Sequence, residues 1–265
     1  MQIENFGLSD VGRKREKNED SFLLKPEHHF YMVADGMGGH VGGEFASRLA
    51  VETVGDILSE LMTDPEATLP ESGEIKPGDF KSYLQYAITI ASGRIFEQAR
   101  LNARLQGMGT TAVCLLFRKN KAYIANVGDS RAYRLRGKKL EQITTDHSLV
   151  EEQIRAGIIQ PAEAKGHRLK NIITRSVGFQ EEAEADIAAK NLQEGDVFLL
   201  CTDGLYNLVS NEEILDVLLN QNLKNACRHL VDIANSRGGD DNITVILTQV
   251  TSLDASEEEE STMRV

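Results

Sequence analysis

Short apolar runs rich in branched and aromatic side chains recur along the chain at 30–34, 111–117, 122–127, 132–135, 197–201 and 243–250. Each is bounded by Gly, Asp or Asn, which predicts strands. Some gaps between them are very short, Arg118-Lys119-Asn120-Lys121 for example, so antiparallel pairing is expected. Two longer stretches carry helical spacing instead. Phe45, Leu49, Val54, Leu58 and Leu61 form one stripe, and Leu84, Ile88, Ala91 and Ile95 a second. Between them, 64–79 holds three of the chain's five prolines and no periodicity, which reads as a surface loop. Two shorter helices fit 211–219 and 224–235. Ser210, followed three residues later by Glu213, supplies a cap for the first. Strands grouped together, with helices inserted in pairs, predict an α+β layered domain rather than a parallel βαβ sheet.

Composition narrows the function. With 265 residues, 41% of them hydrophobic, the chain can bury a substantial core. The net charge is −12, and the segment 252–265 contributes five acidic residues against one Arg. That segment has too few apolar residues to pack and is expected to be a disordered acidic tail. The body remains acidic without it, a poor match for nucleic acid or an anionic membrane surface and a good one for cations. Three cysteines, Cys114, Cys201 and Cys227, fit neither a zinc site nor a disulfide framework, so buried free thiols in a reducing compartment are expected. No apolar run approaches membrane-spanning length and the N-terminus lacks a signal-like segment, so a cytoplasmic protein is expected.

One arrangement repeats at the strand ends. The strand at 30–34 runs into Asp35-Gly36, that at 122–127 into Gly128-Asp129-Ser130, and that at 197–201 into Thr202-Asp203-Gly204. Gly239-Asp240-Asp241-Asn242 leads into the strand at 243. Asp and Gly make turns after strands for local reasons, and at any one site that explanation suffices. Four such ends gathered at one rim would need cations or raised proton affinities. Carboxylates and a carbonyl are hard donors, which suit Mg2+ or Mn2+; zinc would want His or Cys partners at fixed spacing, and none stand so. The Gly-rich stretch 36–44 is not a nucleotide loop, because Glu44 stands where a P-loop needs Lys and Val41 breaks the dinucleotide fingerprint. Tight backbone approach to a metal is expected there. Arg15, Glu19 and Asp20 lie in a charged run that by itself reads as a solvated turn. An Arg beside the metal rim would clamp phosphate through its planar fork, with Arg13 the rival on charge alone.

The ordered set Arg15…Glu19-Asp20, Asp35-Gly36-Met37-Gly38-Gly39, Gly109-Thr110-Thr111, Gly128-Asp129-Ser130-Arg131, Asp203-Gly204 and Asp240-Asp241-Asn242 resembles the protein phosphatase 2C-type, metal-dependent Ser/Thr protein phosphatases, in their bacterial single-domain form. The match runs over nearly the whole chain. The resemblance implies two antiparallel sheets forming a central β-sandwich flanked by pairs of helices. It implies a catalytic domain over 1–251, with a flap at about 147–178 that offers the cations of His167-Arg168-Leu169-Lys170-Asn171, and a tail at 252–265. It also implies two catalytic Mn2+ or Mg2+ ions bridged by Asp35, with the Gly36 carbonyl on one ion and Asp203 and Asp241 on the other. Glu19 and Asp20 would hold metal-bound waters, Asp129 would share a weaker third ion with Asp203, and Arg15 would bind the phosphoryl group. Some eukaryotic members carry a proposed general-acid His directly after the Asp-Gly pair; here Met37 occupies that position, and His40 reads as structural.

The expected chemistry is hydrolysis of phosphoserine and phosphothreonine. Two ions roughly 3.5–4 Å apart activate a shared water for in-line attack, without a phosphoenzyme. Neither Cys201 nor Ser130 is expected to act as a nucleophile. Phosphorylated proteins are the expected partners, with a Ser/Thr kinase as the opposing activity and the protein monomeric. The rival readings are a non-catalytic phosphoprotein- or kinase-binding relative, a phosphatase of small phosphate esters, and a regulatory role of the acidic tail.

Overall fold

The computed structural model describes residues 1–38, 41–63, 75–160, 163, 167–169 and 171–254. Most of the proline-bearing loop, His40, Lys170 within the flap, and the tail from residue 255 lie outside these.

Among the described residues, eleven strands form two antiparallel sheets. One sheet has the order β1-β11-β10-β7-β8, built from β1 (Gln2–Asp10), β11 (Ile243–Ser252), β10 (Val197–Cys201), β7 (Arg131–Arg136) and β8 (Lys139–Gln142). The other has the order β2-β3-β5-β6-β9: β2 (Asp20–Lys25), β3 (Phe30–Met37), β5 (Ala112–Arg118), β6 (Lys121–Val127) and β9 (Asp186–Asn191). The two-residue β4 (Gly109–Thr110) pairs with the end of β3. Six α-helices complete the described part: α1 (Gly42–Thr63), α2 (Phe80–Leu101), α3 (Leu149–Arg155), α4 (Asp203–Tyr206), α5 (Asn211–Asn220) and α6 (Leu223–Ser236).

The apolar runs are continuous rather than alternating because each central strand is buried on both faces. In β3, Phe30, Met32 and Ala34 face α1 and α2, while Tyr31 and Val33 face the opposite sheet. In β10, Val197, Leu199 and Cys201 face α5 and α6, while Phe198 and Leu200 point into the sandwich. The period of two along a strand therefore generates three stacked cores, one between the sheets and one under each helix pair. Phe117 and Phe198 meet edge to face across the middle core, with ring centroids 5.3 Å apart. This is the expected sandwich flanked by helix pairs.

Local chemistry fixes the ends. Lys119 and Asn120 both take left-handed backbone angles, φ 50° and 55°, which closes the two-residue hairpin between β5 and β6. The Ser210 hydroxyl and the Glu213 side chain form the reciprocal capping box at the start of α5. All three cysteines are buried and free.

Because the strands are antiparallel, the ends of β3, β6 and β10 and the starts of β2 and β11 lie at one edge of the sandwich. That edge carries every aspartate singled out above.

Candidate active site

An open hollow of about 300 Å³ at this edge is lined by Arg15, Glu19, Asp35, Gly36, Asp129, Asp203 and Asp241, with Met37 and Ile173 on one side. Asp20 lies beneath it, paired across the β2–β3 ladder with Asp35. The structure thus brings together all seven residues named as possible ion ligands, and Arg15 with them. Arg13 does not line the hollow; its backbone N–H is used on the Gly239 carbonyl at 2.8 Å.

Each carboxylate is held by groups that follow from its position in the fold. Asp35 lies near the end of β3; its N–H donates to the Thr111 hydroxyl at 2.9 Å, and its carbonyl accepts from the Thr110 hydroxyl at 2.8 Å. One oxygen of buried Asp20 accepts from Thr202 at 2.8 Å and Thr244 at 2.6 Å. Its other oxygen is buried without a hydrogen-bond partner among the described residues. The Asn242 side chain ties the loop before β2 to the start of β11. Its carbonyl accepts from the Glu19 N–H at 2.7 Å, and its amide donates to the carbonyls of Val11 and Lys17, each at 2.9 Å. Arg15 rests on Asp241 at 2.8 Å, whereas the neighbouring Asp240 is exposed and paired with Lys14.

The glycines here allow neighbouring segments of the edge to approach closely. A Cβ on Gly36 would sit 2.0 Å from the Gly43 carbonyl oxygen, and one on Gly204 would sit 2.0 Å from that of Asn242. Gly43 leaves room for the Glu19 carboxylate, which a Cβ there would meet at 2.7 Å. Gly128, at φ 103°, also needs left-handed backbone. His147 grips that turn twice: its backbone N–H donates to the Gly128 carbonyl at 2.9 Å, and its Nδ1 accepts the Gly128 N–H at 3.2 Å.

Burial raises the proton affinities of Glu19, Asp20, Asp35 and Asp129, and neighbouring charges act on each. Burial pushes Asp20 up to about 7, with Asp203 and Asp241 adding to it against the two threonine hydroxyls. Burial, with Asp203 and Asp146 nearby, pushes Asp129 up to about 7. Asp35 is raised by burial and then by Asp20, Asp203, Asp129 and Asp241, and Glu19 by burial. A rim that resists its own ionisation is one that cations would relieve. Among the described residues, no three His, Cys, Asp or Glu side chains close around a single point. Donors that are all oxygen suit Mg2+ or Mn2+, which take a few oxygen ligands and keep waters, and they do not suit a zinc cage. The donor set and the unpartnered Asp20 oxygen therefore fit hard divalent ions.

Sequence reasoning did not single out Thr202, Thr244, Asn242 or His147 as supports. The first three stand within or two residues from the recognised motifs, and that proximity was the available signal.

The sequence profile described as "Protein phosphatase 2C" matches residues 6–243. The chain belongs to the protein phosphatase 2C family. Among its relatives, the protein phosphatase PhpP of Streptococcus pneumoniae is 38% identical over 252 residues, covering 94% of this chain and 98% of that protein. The crystal structure of the Mycobacterium tuberculosis serine/threonine phosphatase PstP/Ppp superposes with a TM-score of 0.84 at 33% identity, covering 95% of this chain and all of that one. A PstP catalytic domain in complex with two manganese ions superposes with a TM-score of 0.81, also at 33% identity, over 94% of this chain and 99% of that one. The family's two-sheet architecture and the carboxylate edge described above thus occur together in this member.

Proposed function

We propose that this chain is a metal-dependent protein serine/threonine phosphatase whose reaction is carried by the carboxylate edge. The convergence of Glu19, Asp20, Asp35, Asp129, Asp203 and Asp241 beside one arginine carries that reading. Asp35 and the Gly36 carbonyl, with Asp203 and Asp241, would hold two Mn2+ or Mg2+ ions. Glu19 and Asp20 would act through bound waters, and Asp129 with Asp203 would hold a weaker third ion. When bound, such ions supply Lewis acidity and a water of lowered pKa.

The chain's own residues do the rest. Arg15 is half exposed at the lip of the hollow, where its fork can turn from Asp241 to phosphoryl oxygens and offset their charge. Protein nucleophiles are poorly placed. Cys201 is fully buried, and burial pushes its thiol up to about 12. The Ser130 hydroxyl is buried against that of Thr111 at 2.7 Å. Both observations support direct attack by water. The neck of the flap is closed by the bridge between Ser148 and Ile173 and by the Thr174 N–H on the His147 carbonyl at 2.8 Å. We read 1–251 as the catalytic unit and 147–178 as its flap.

The substrates are phosphorylated proteins, and a Ser/Thr kinase acting on the same proteins is the opposing activity. A monomeric, cytoplasmic protein completes the reading. The acidic charge balance supports it, and no helix among the described residues is long and apolar enough to cross a membrane.

The test is phosphate release from a phosphothreonine peptide with Mn2+ and with excess EDTA. Release is expected to require the metal, to vanish in Asp203→Ala and Asp35→Ala, and to persist in Cys201→Ser. A folded, metal-loaded protein that releases nothing would instead be a binding relative, and a dead but folded Cys201→Ser would overturn direct hydrolysis.

A further inference from the structure

A second hollow, of about 740 Å³, opens beside the catalytic one, and the two share Met37 and Ile173 as a common apolar saddle. It is more than twice the size of the catalytic hollow and far larger than a phosphoryl group needs.

Its outer wall is the segment after the flap, and that wall is firmly built. Buried Ser92 of α2 accepts the Gly178 N–H at 2.9 Å and donates to the Gln180 carbonyl at 2.8 Å. Gln85, about two turns earlier on the same helix face, donates to the Ala183 carbonyl at 2.8 Å and accepts the Ala185 N–H at 3.0 Å. Two α2 side chains thus fix the course of 178–185 and present its remaining side chains to the groove.

What they present has a definite chemistry. Phe179 stays 63% exposed at the wall, an aromatic face without a covering neighbour. Arg175 is cationic but already committed to Asp186 at 3.1 Å. Glu182 and Glu184 are exposed and make no ion pair among the described residues, so the net charge on this wall is negative. An apolar platform flanked by two unpaired carboxylates, continuous with the catalytic hollow, suits an extended peptide bearing a basic residue.

We infer that this groove binds the polypeptide flanking the phosphoresidue, with Phe179 as its apolar platform and Glu182 and Glu184 selecting a Lys or Arg. The inference rests on the phosphatase reading and gives that site a substrate class. A basic side chain held there lies away from the ion-holding carboxylates and leaves the phosphoryl group to Arg15. Positive charge on the peptide also steers it toward an acidic enzyme.

The experiment compares three substrates in Mn2+: a phosphothreonine peptide flanked by lysines, the same peptide with alanines, and p-nitrophenyl phosphate, which is too small to span both hollows. Wild type is expected to favour the lysine peptide. Phe179→Ala is expected to raise KM for both peptides roughly tenfold with kcat little changed, the loss typical of one aromatic anchor. The double variant Glu182→Gln, Glu184→Gln is expected to abolish the preference for lysine. All variants should hydrolyse p-nitrophenyl phosphate at the wild-type rate. Variants that handle both peptides as wild type does would overturn the groove, as would variants that lose p-nitrophenyl phosphate in equal measure. Wild type inactive on all three substrates would instead refute the phosphatase reading itself.

Discussion

Asn242 commits both amide hydrogens and its carbonyl oxygen to the loop that carries Arg15 and Glu19. Removing it leaves two backbone carbonyls and one N–H without partners in a partly buried place. Asn242→Ala is therefore expected to cost about 1–3 kcal/mol in a denaturant melt. It should also raise KM for phosphopeptide, since Arg15 would lose its mooring. A variant with wild-type stability and KM would show that the loop is held elsewhere. The sequence made the ionisable residues at this scale legible because Asp and Glu at strand ends are chemically conspicuous. Their supports were harder to see. Thr244 is two residues beyond Asn242, but nothing in the pattern says that its hydroxyl reaches Asp20 across more than two hundred positions. Likewise, Asp240 and Asp241 are indistinguishable by type, and only the fold sends one to Lys14 and the other to the hollow.

Central elements announced themselves through continuous apolar runs, since strands buried on both faces need nothing else. Edge strands did not. β1 alternates Phe6 and Leu8 toward the helices with Ile3 toward the sandwich, and Gly7 interrupts the run where Phe22 crowds it. β8 and β9, Lys139–Gln142 and Asp186–Asn191, are half exposed and take their register from neighbours rather than from their own hydrophobicity. The short helix α4 was hidden for a different reason: it begins at Asp203 itself, so a turn signal and a helix start coincide. Its Gly204 sits against the Asn242 backbone, and an added methyl there would meet a carbonyl rather than a side chain that could swing away. Gly204→Ala is expected to destabilise by about 1–3 kcal/mol and to lower Mn2+ affinity by displacing Asp203. Calorimetric titration with Mn2+ would check this, and unchanged affinity would place the strain away from the ion site.

For the whole molecule, the decisive quantity is the charge gathered at one edge. Asp20 and Asp129 hold their protons up to about 7 in the folded, metal-free protein, against 3.8 ordinarily. The fold therefore binds more protons than the unfolded chain between those values. The contribution of these two groups to stability is fully present below about pH 4, declines as pH rises, and is gone above about pH 7. Divalent ions favour the ionised carboxylates and should reverse the trend. Melting temperature in EDTA is thus expected to fall across pH 4–7, and saturating Mn2+ should raise it most at the upper end. A flat profile in EDTA would mean that the carboxylates ionise freely without metal.

The strand order also says when this protein can begin to work. β11 lies between β1 and β10, so β1 has no partner in its sheet until β11, the last of the described strands, has left the ribosome. Asp241 and Asn242, which meet Arg15 and Glu19, arrive at the head of that same strand. A nascent chain arrested before Ile243 is released from the exit tunnel should be catalytically silent, and one arrested well beyond Ser252 should be active. Phosphatase activity is in this sense withheld until β11 has emerged, with no inhibitor needed to restrain the growing chain.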